Sequence, residues 1–66
     1  MLIRGLQYWT ATEVIREIGV TRMTFWRWRK TGVIPRGALY RDRTVIFTFE
    51  ELEAIRNYST RIDTVS

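Results

Sequence analysis

The sequence predicts a small, mostly α fold with a small β-hairpin, in the order helix, turn, helix, hairpin, helix. Three observations carry this. Thr10-Ala11-Thr12-Glu13 and Thr48-Phe49-Glu50-Glu51 both have the T-x-x-E form that starts helices. Gly19 and Gly32 stand where helices should end. β-Branched and aromatic residues flank the polar pair Asp42-Arg43.

Each element follows in turn. After the box at Thr10, Val14, Ile15 and Ile18 recur at helical spacing, predicting a short amphipathic helix over 11–18 that stops at Gly19. Val20 is an apolar plug in the turn, and Thr21 caps a second helix running to Lys30 or Thr31 before Gly32. Two short helices joined by a tight glycine-containing turn form a candidate helix-turn-helix. Pro35 forbids a continuing helix and pushes Ile34 to an extended conformation. Ala38 to Arg41 and Thr44 to Phe47 then predict a hairpin with Asp42-Arg43 at its centre. The box at Thr48 opens a third helix through about Tyr58, with Leu52, Ile55 and Tyr58 inward and Glu50, Glu51 and Glu53 near its positive end. Residues 59–66 are polar and aperiodic, predicting a flexible tail beyond a domain of residues 1–58. Leu2 to Trp9 is an apolar lead-in whose Trp9 is expected to pack against the first helix.

Composition narrows the chemistry. At 66 residues the chain fits one small domain, near the lower size at which a core stabilises a fold unaided. It contains no cysteine or histidine, so disulfide staples, thiolate zinc sites and imidazole acid–base chemistry are excluded. Three Trp, three Tyr and three Phe supply apolar area for burial instead. The start, MLIRGLQYW, is too short and polar for a secretory signal, and no run approaches the roughly 18 apolar residues of a membrane span. A cytoplasmic protein with no membrane partner is expected. The acids sit mainly at helix starts, where caps and dipoles account for them, so neither an enzyme nor a cofactor is expected.

Charge is unevenly distributed. The net charge is +4, yet Arg22, Arg27, Arg29, Lys30, Arg36, Arg41 and Arg43 all lie between Val20 and Arg43 against the single acid Asp42. The remainder holds six acids and four bases. A basic middle between mildly acidic ends is what a polyanion-binding face requires. At about 100° per residue, Phe25 and Trp28 share the side of the cap Thr21 and are predicted core. Arg22, Met23, Trp26, Arg27 and Lys30 fall on the opposite side. Arg29 lies at the border, its stem over the core and its head in water. Trp26 is the odd residue, a tryptophan on the polar side that either packs under the following segment or meets a partner.

The run GVTRMTFWRWRKTGVIP, with the later Y-R-x-R and F-T-F-E-E-L, resembles the winged helix-turn-helix DNA-binding domain of MerR regulators, phage excisionases and small AlpA-type activators. The resemblance covers residues 8 to 58. It implies that Gly19-Val20 is the turn, that Thr21 caps a recognition helix entering the major groove, and that Arg41 and Arg43 form a wing on backbone or minor groove. Thr24 is the small polar residue before the buried Phe25. The chain departs from MerR proteins at Met23, where they generally carry arginine, and at Arg27, where they carry tyrosine, so those phosphate contacts do not transfer. Nor does the resemblance extend to a long dimerisation helix or effector site, which makes the stand-alone excisionase and AlpA-like group the closer comparison.

The implied partner is double-stranded DNA, bound by a small transcriptional regulator or excisionase-like architectural factor of a phage or mobile element. Arg22 and Arg27 are the candidates for guanine edges, and Met23 or Thr24 for a thymine methyl. Lys30, Arg36, Arg41 and Arg43 are the candidates for phosphates. One small domain buries little surface, so neighbouring copies on DNA, meeting through tail or wing, or a partner protein are expected. The competing reading is a protein-interaction module that uses Trp26 and the basic face. RNA binding lacks an RRM-type aromatic signature or a GXXG loop.

Overall fold

A computed structural model describes residues 1–41 and 43–65, with 62–65 described by backbone alone. Asp42, half of the expected hairpin centre, and Ser66, the last residue of the expected tail, lie outside the described residues. The elements are β1 (Leu2–Ile3), β2 (Leu6–Gln7), β3 (Trp9–Thr10), α1 (Ala11–Ile18), α2 (Arg22–Thr31), β4 (Ala38–Tyr40), β5 (Thr44–Phe47) and α3 (Phe49–Val65). Three helices and two small antiparallel sheets make a mixed α/β arrangement, richer in β structure than one hairpin.

Local chemistry sets the helix boundaries. Both T-x-x-E boxes close. The Thr10 N–H donates to Glu13 Oε1 at 2.8 Å while the Glu13 N–H donates to Thr10 Oγ1 at 3.2 Å. Thr48 and Glu51 repeat the exchange at 2.9 and 3.2 Å. Between them, Thr21 caps α2 by accepting the Thr24 N–H at 3.1 Å. Gly19 ends α1 at φ +84, where a side chain would be strained, and its N–H donates to the Ile15 carbonyl at 2.9 Å. α2 closes at Gly32, whose N–H reaches the Trp28 carbonyl at 3.1 Å.

The core draws on all three helices, on β5 and on the segment after α2. Val14, Phe25, Phe47 and Ile55 are fully buried, with Ala11, Ile34 and Leu52 beside them. Phe25 meets Phe47 edge-on at 5.8 Å between ring centroids, tying α2 to β5. Trp28 meets Tyr58 edge-on at 4.9 Å, tying α2 to α3. The inward side predicted for α2 is therefore the packed one.

Four expectations change. The β4–β5 hairpin pairs Ala38↔Ile46, Leu39↔Val45 and Tyr40↔Thr44, so its connection is the three residues 41–43 and not a two-residue centre. The favoured two-residue turns want positive φ at the first centre or at both, which Asp-Arg resists. Here Arg41 takes φ +55, and the Arg43 N–H reaches the Tyr40 carbonyl at 3.4 Å. Second, the hairpin gains a third strand, because β3 pairs with β5 through Trp9↔Phe47 and Thr10↔Ile46, giving the order β3-β5-β4. Third, the apolar lead-in is a hairpin of its own, with Leu2↔Gln7 and Ile3↔Leu6 around Arg4-Gly5. Trp9 packs on the core, with its ring 6.1 Å from that of Phe49 at the start of α3. Fourth, α3 passes Tyr58 and continues to Val65. No Gly or Pro interrupts residues 59–65, and a helix once nucleated propagates through polar residues.

Candidate nucleic-acid interface

The basic residues occupy α2, the segment after it and the β4–β5 hairpin. The geometry separates them into a convergent group and a dispersed one. An open groove of about 250 Å³ is lined by Thr10, Ala11, Thr12, Arg22, Trp26, Arg43, Thr44 and Val45. It therefore lies where the start of α1, the start of α2 and the hairpin meet. Arg22 is the first residue of α2 and Arg43 immediately precedes β5, so the groove joins the outer face of the helix to the arginine-bearing loop. Trp26, Ala11 and Val45 supply its apolar lining.

Trp26 is half-buried, with its ring edge-on to Phe25 at 5.4 Å between centroids. The guanidinium of Arg29 lies over it, Cζ 5.4 Å from the ring centroid. Arg29 Nε also donates to the Arg36 carbonyl at 2.9 Å, so this arginine pins the segment between α2 and β4. Its border position thus becomes a structural contact. Of the two readings for Trp26, packing accounts for its position, with one part of the ring left to line the groove.

The other predicted residues take distinct places. Thr21 and Thr24 are joined, the Thr21 hydroxyl donating to Thr24 Oγ1 at 2.8 Å, so both serve the start of α2. Met23 is 73% exposed, the most exposed large apolar side chain of the helix. Arg27 and Lys30 are exposed farther along α2 and do not line the groove. Arg36 is exposed beyond the helix. The Arg41 guanidinium stacks on the neighbouring Tyr40 ring at 5.2 Å and does not line the groove.

Among the described residues, the ion pairs are Arg56 with Glu17 at 3.0 Å and Arg56 with Glu53 at 3.7 Å. The first links α3 to α1 and the second lies within α3, so the bases of α2 and the hairpin have no carboxylate partner among those residues. Among the described residues, Glu13 is the acid nearest the groove in sequence. The Thr10 backbone N–H lowers the pKa of its carboxyl from the ordinary value, against an opposing effect of burial. No described helix is long and apolar enough to cross a membrane.

The groove walls from Thr10, Ala11, Thr12, Thr44 and Val45 were not legible as site residues. The box at Thr10 located a helix start, but nothing local to it shows that this start lies beside α2. Comparison with known proteins returned no matching family model, curated protein or solved structure.

Proposed function

We propose that the chain is a winged helix-turn-helix domain that binds double-stranded DNA, acting as a small transcriptional regulator or an excisionase-like architectural factor. In this reading α2 enters the major groove and the β4–β5 hairpin is the wing. One observation carries it: Arg22 and Trp26 of α2 share a groove with Arg43 and Thr44 of the hairpin. The start of the helix and the loop thus border one depression, which supports a domain that straddles a groove and its flanking backbone. Arg27 and Met23, exposed and outside the groove, are the residues offered to base edges. Lys30, Arg36 and Arg41 serve phosphates. The packing of Trp26 on Phe25 and under Arg29 weighs against its use as the anchor of a protein-interaction module.

The experiment is selection from a random duplex library, followed by affinity measurements on the selected duplex and a scrambled one across a salt series. With about five phosphates neutralised, log K should fall against log salt with a slope near −4 to −5. Arg27→Ala should weaken the selected duplex by about 1–3 kcal/mol and leave the scrambled duplex nearly unchanged. Failure to bind any duplex at physiological salt, or equal binding of duplex RNA and single strands, would reject the reading.

A further inference from the structure

We infer that the groove between α1, α2 and the hairpin is a clamp for a single phosphate group, held jointly by Arg22 and Arg43. This rests on the DNA-binding reading and deepens it, because it makes Arg22 a backbone contact and not a reader of bases. Two guanidinium-bearing side chains from separate elements border one depression, and neither has a carboxylate partner among the described residues. Two like charges bordering one depression repel each other, and an anion between them would relieve that repulsion. Guanidinium groups suit this role because their planar N–H forks match the oxygens of a phosphate.

The rest of the lining fits the same ligand. Thr12 and Thr44 line the groove with no side-chain hydrogen bond among the described residues, and a threonine hydroxyl can donate to a phosphate oxygen. Trp26, Ala11 and Val45 give the groove an apolar side, and a lower local dielectric there strengthens charge-assisted hydrogen bonds. No carboxylate lines the groove among the described residues, and Glu13 is turned back onto the Thr10 N–H. The openness that suits a group carried on a polymer passing over the surface would leave an enclosed small molecule poorly covered. A base edge offers one or two acceptors, whereas each anionic oxygen of a phosphodiester can accept from more than one of these donors.

The contrast with Arg27 makes the inference testable. Arg22→Ala, Arg43→Ala, their double variant and Arg27→Ala are compared on the selected and scrambled duplexes over a salt series, with circular dichroism confirming the fold. If Arg22 and Arg43 share a phosphate, each single variant weakens both duplexes by the same factor. The double variant then flattens the log–log salt slope by about 0.9 in total, the increment for one phosphate. In a set of duplexes carrying one neutral methylphosphonate each, one position should weaken the native protein and leave the double variant unaffected. Loss confined to the selected duplex on Arg22→Ala, with an unchanged slope, would overturn the clamp, as would a double-variant slope change of about 1.8 from two independent phosphates.

A titration with inorganic phosphate separates this inference from the reading beneath it. The backbone amide resonances of Thr12 and Thr44 should shift in the native protein and not in the double variant. Phosphate shifts without duplex binding would sustain the groove as a phosphate site and reject DNA as the partner. Duplex binding indifferent to both arginines would reject the clamp and leave DNA binding standing.

Discussion

Gly37 precedes β4 at φ +74, and a Cβ placed on it would stand 2.5 Å from the Ile46 carbonyl oxygen and 2.9 Å from Phe47 Cε1. Gly37→Ala therefore meets two separate costs. A left-handed alanine costs about 1–2 kcal/mol. Forcing the central strand and a fully buried phenylalanine aside adds about 1–3 kcal/mol. The sum, about 2–5 kcal/mol, is a large fraction of the roughly 3–10 kcal/mol expected for a domain of this length. Gly19→Ala is the matched control, because Gly19 has φ +84 but nothing within 4 Å of the place its Cβ would take. It should lose only the conformational part, about 1–2 kcal/mol. Thermal unfolding followed by circular dichroism should give a decrease of about 4–8 °C per kcal/mol in a domain of this size. Gly37→Ala should thus melt well below Gly19→Ala. Equal midpoints would refute the claim that the hairpin sits close enough to its own glycine to exclude a methyl group.

Three further outcomes follow from the packing and the caps. Phe25→Ala removes a fully buried ring in edge contact with Trp26 and Phe47, and should cost about 3–5 kcal/mol, read as a lower urea midpoint with little change in slope. Arg29→Ala should cost about 1 kcal/mol through its bond to the Arg36 carbonyl, while the salt dependence of duplex binding stays nearly constant. Because the folded-state pKa of Glu13 is depressed, its stabilisation is complete above its ordinary value of 4.5 and is lost as pH falls through the lowered one. Acid titration should therefore show Glu13→Gln losing less stability than the native protein below that pH; parallel curves would mean that Glu13 contributes nothing to acid sensitivity.

How much could be read from the residues depended on whether the cause was local. Thr10, Thr48, Gly19 and Gly32 act within a few residues of themselves, and the helix starts and the stops after α1 and α2 fall where these residues put them. Phe25 and Trp28 are assignable to the core by helical spacing alone. The β3 strand is not legible in this way, because two residues give no alternation to detect and its identity comes from Phe47 and Ile46 far along the chain. The end of α3 is hidden for another reason: polarity resembles a flexible tail, although no helix breaker is present. At the site, the outward basic side of α2 is legible, but the sharing of one groove by Arg22 and Arg43 is a tertiary fact.

Thr10 ends the sheet and begins the helix. Its backbone pairs with Ile46 while its side chain closes the start of α1, and no linker separates the two roles. One wall of the groove is consequently hinged to nothing. For the proposed phosphate clamp this means that the Thr10 wall is in place before any ligand arrives, and little chain entropy would be lost there on occupation. Under that proposal, capture would be governed by electrostatic steering toward the arginines, with no wait for that wall to swing into place.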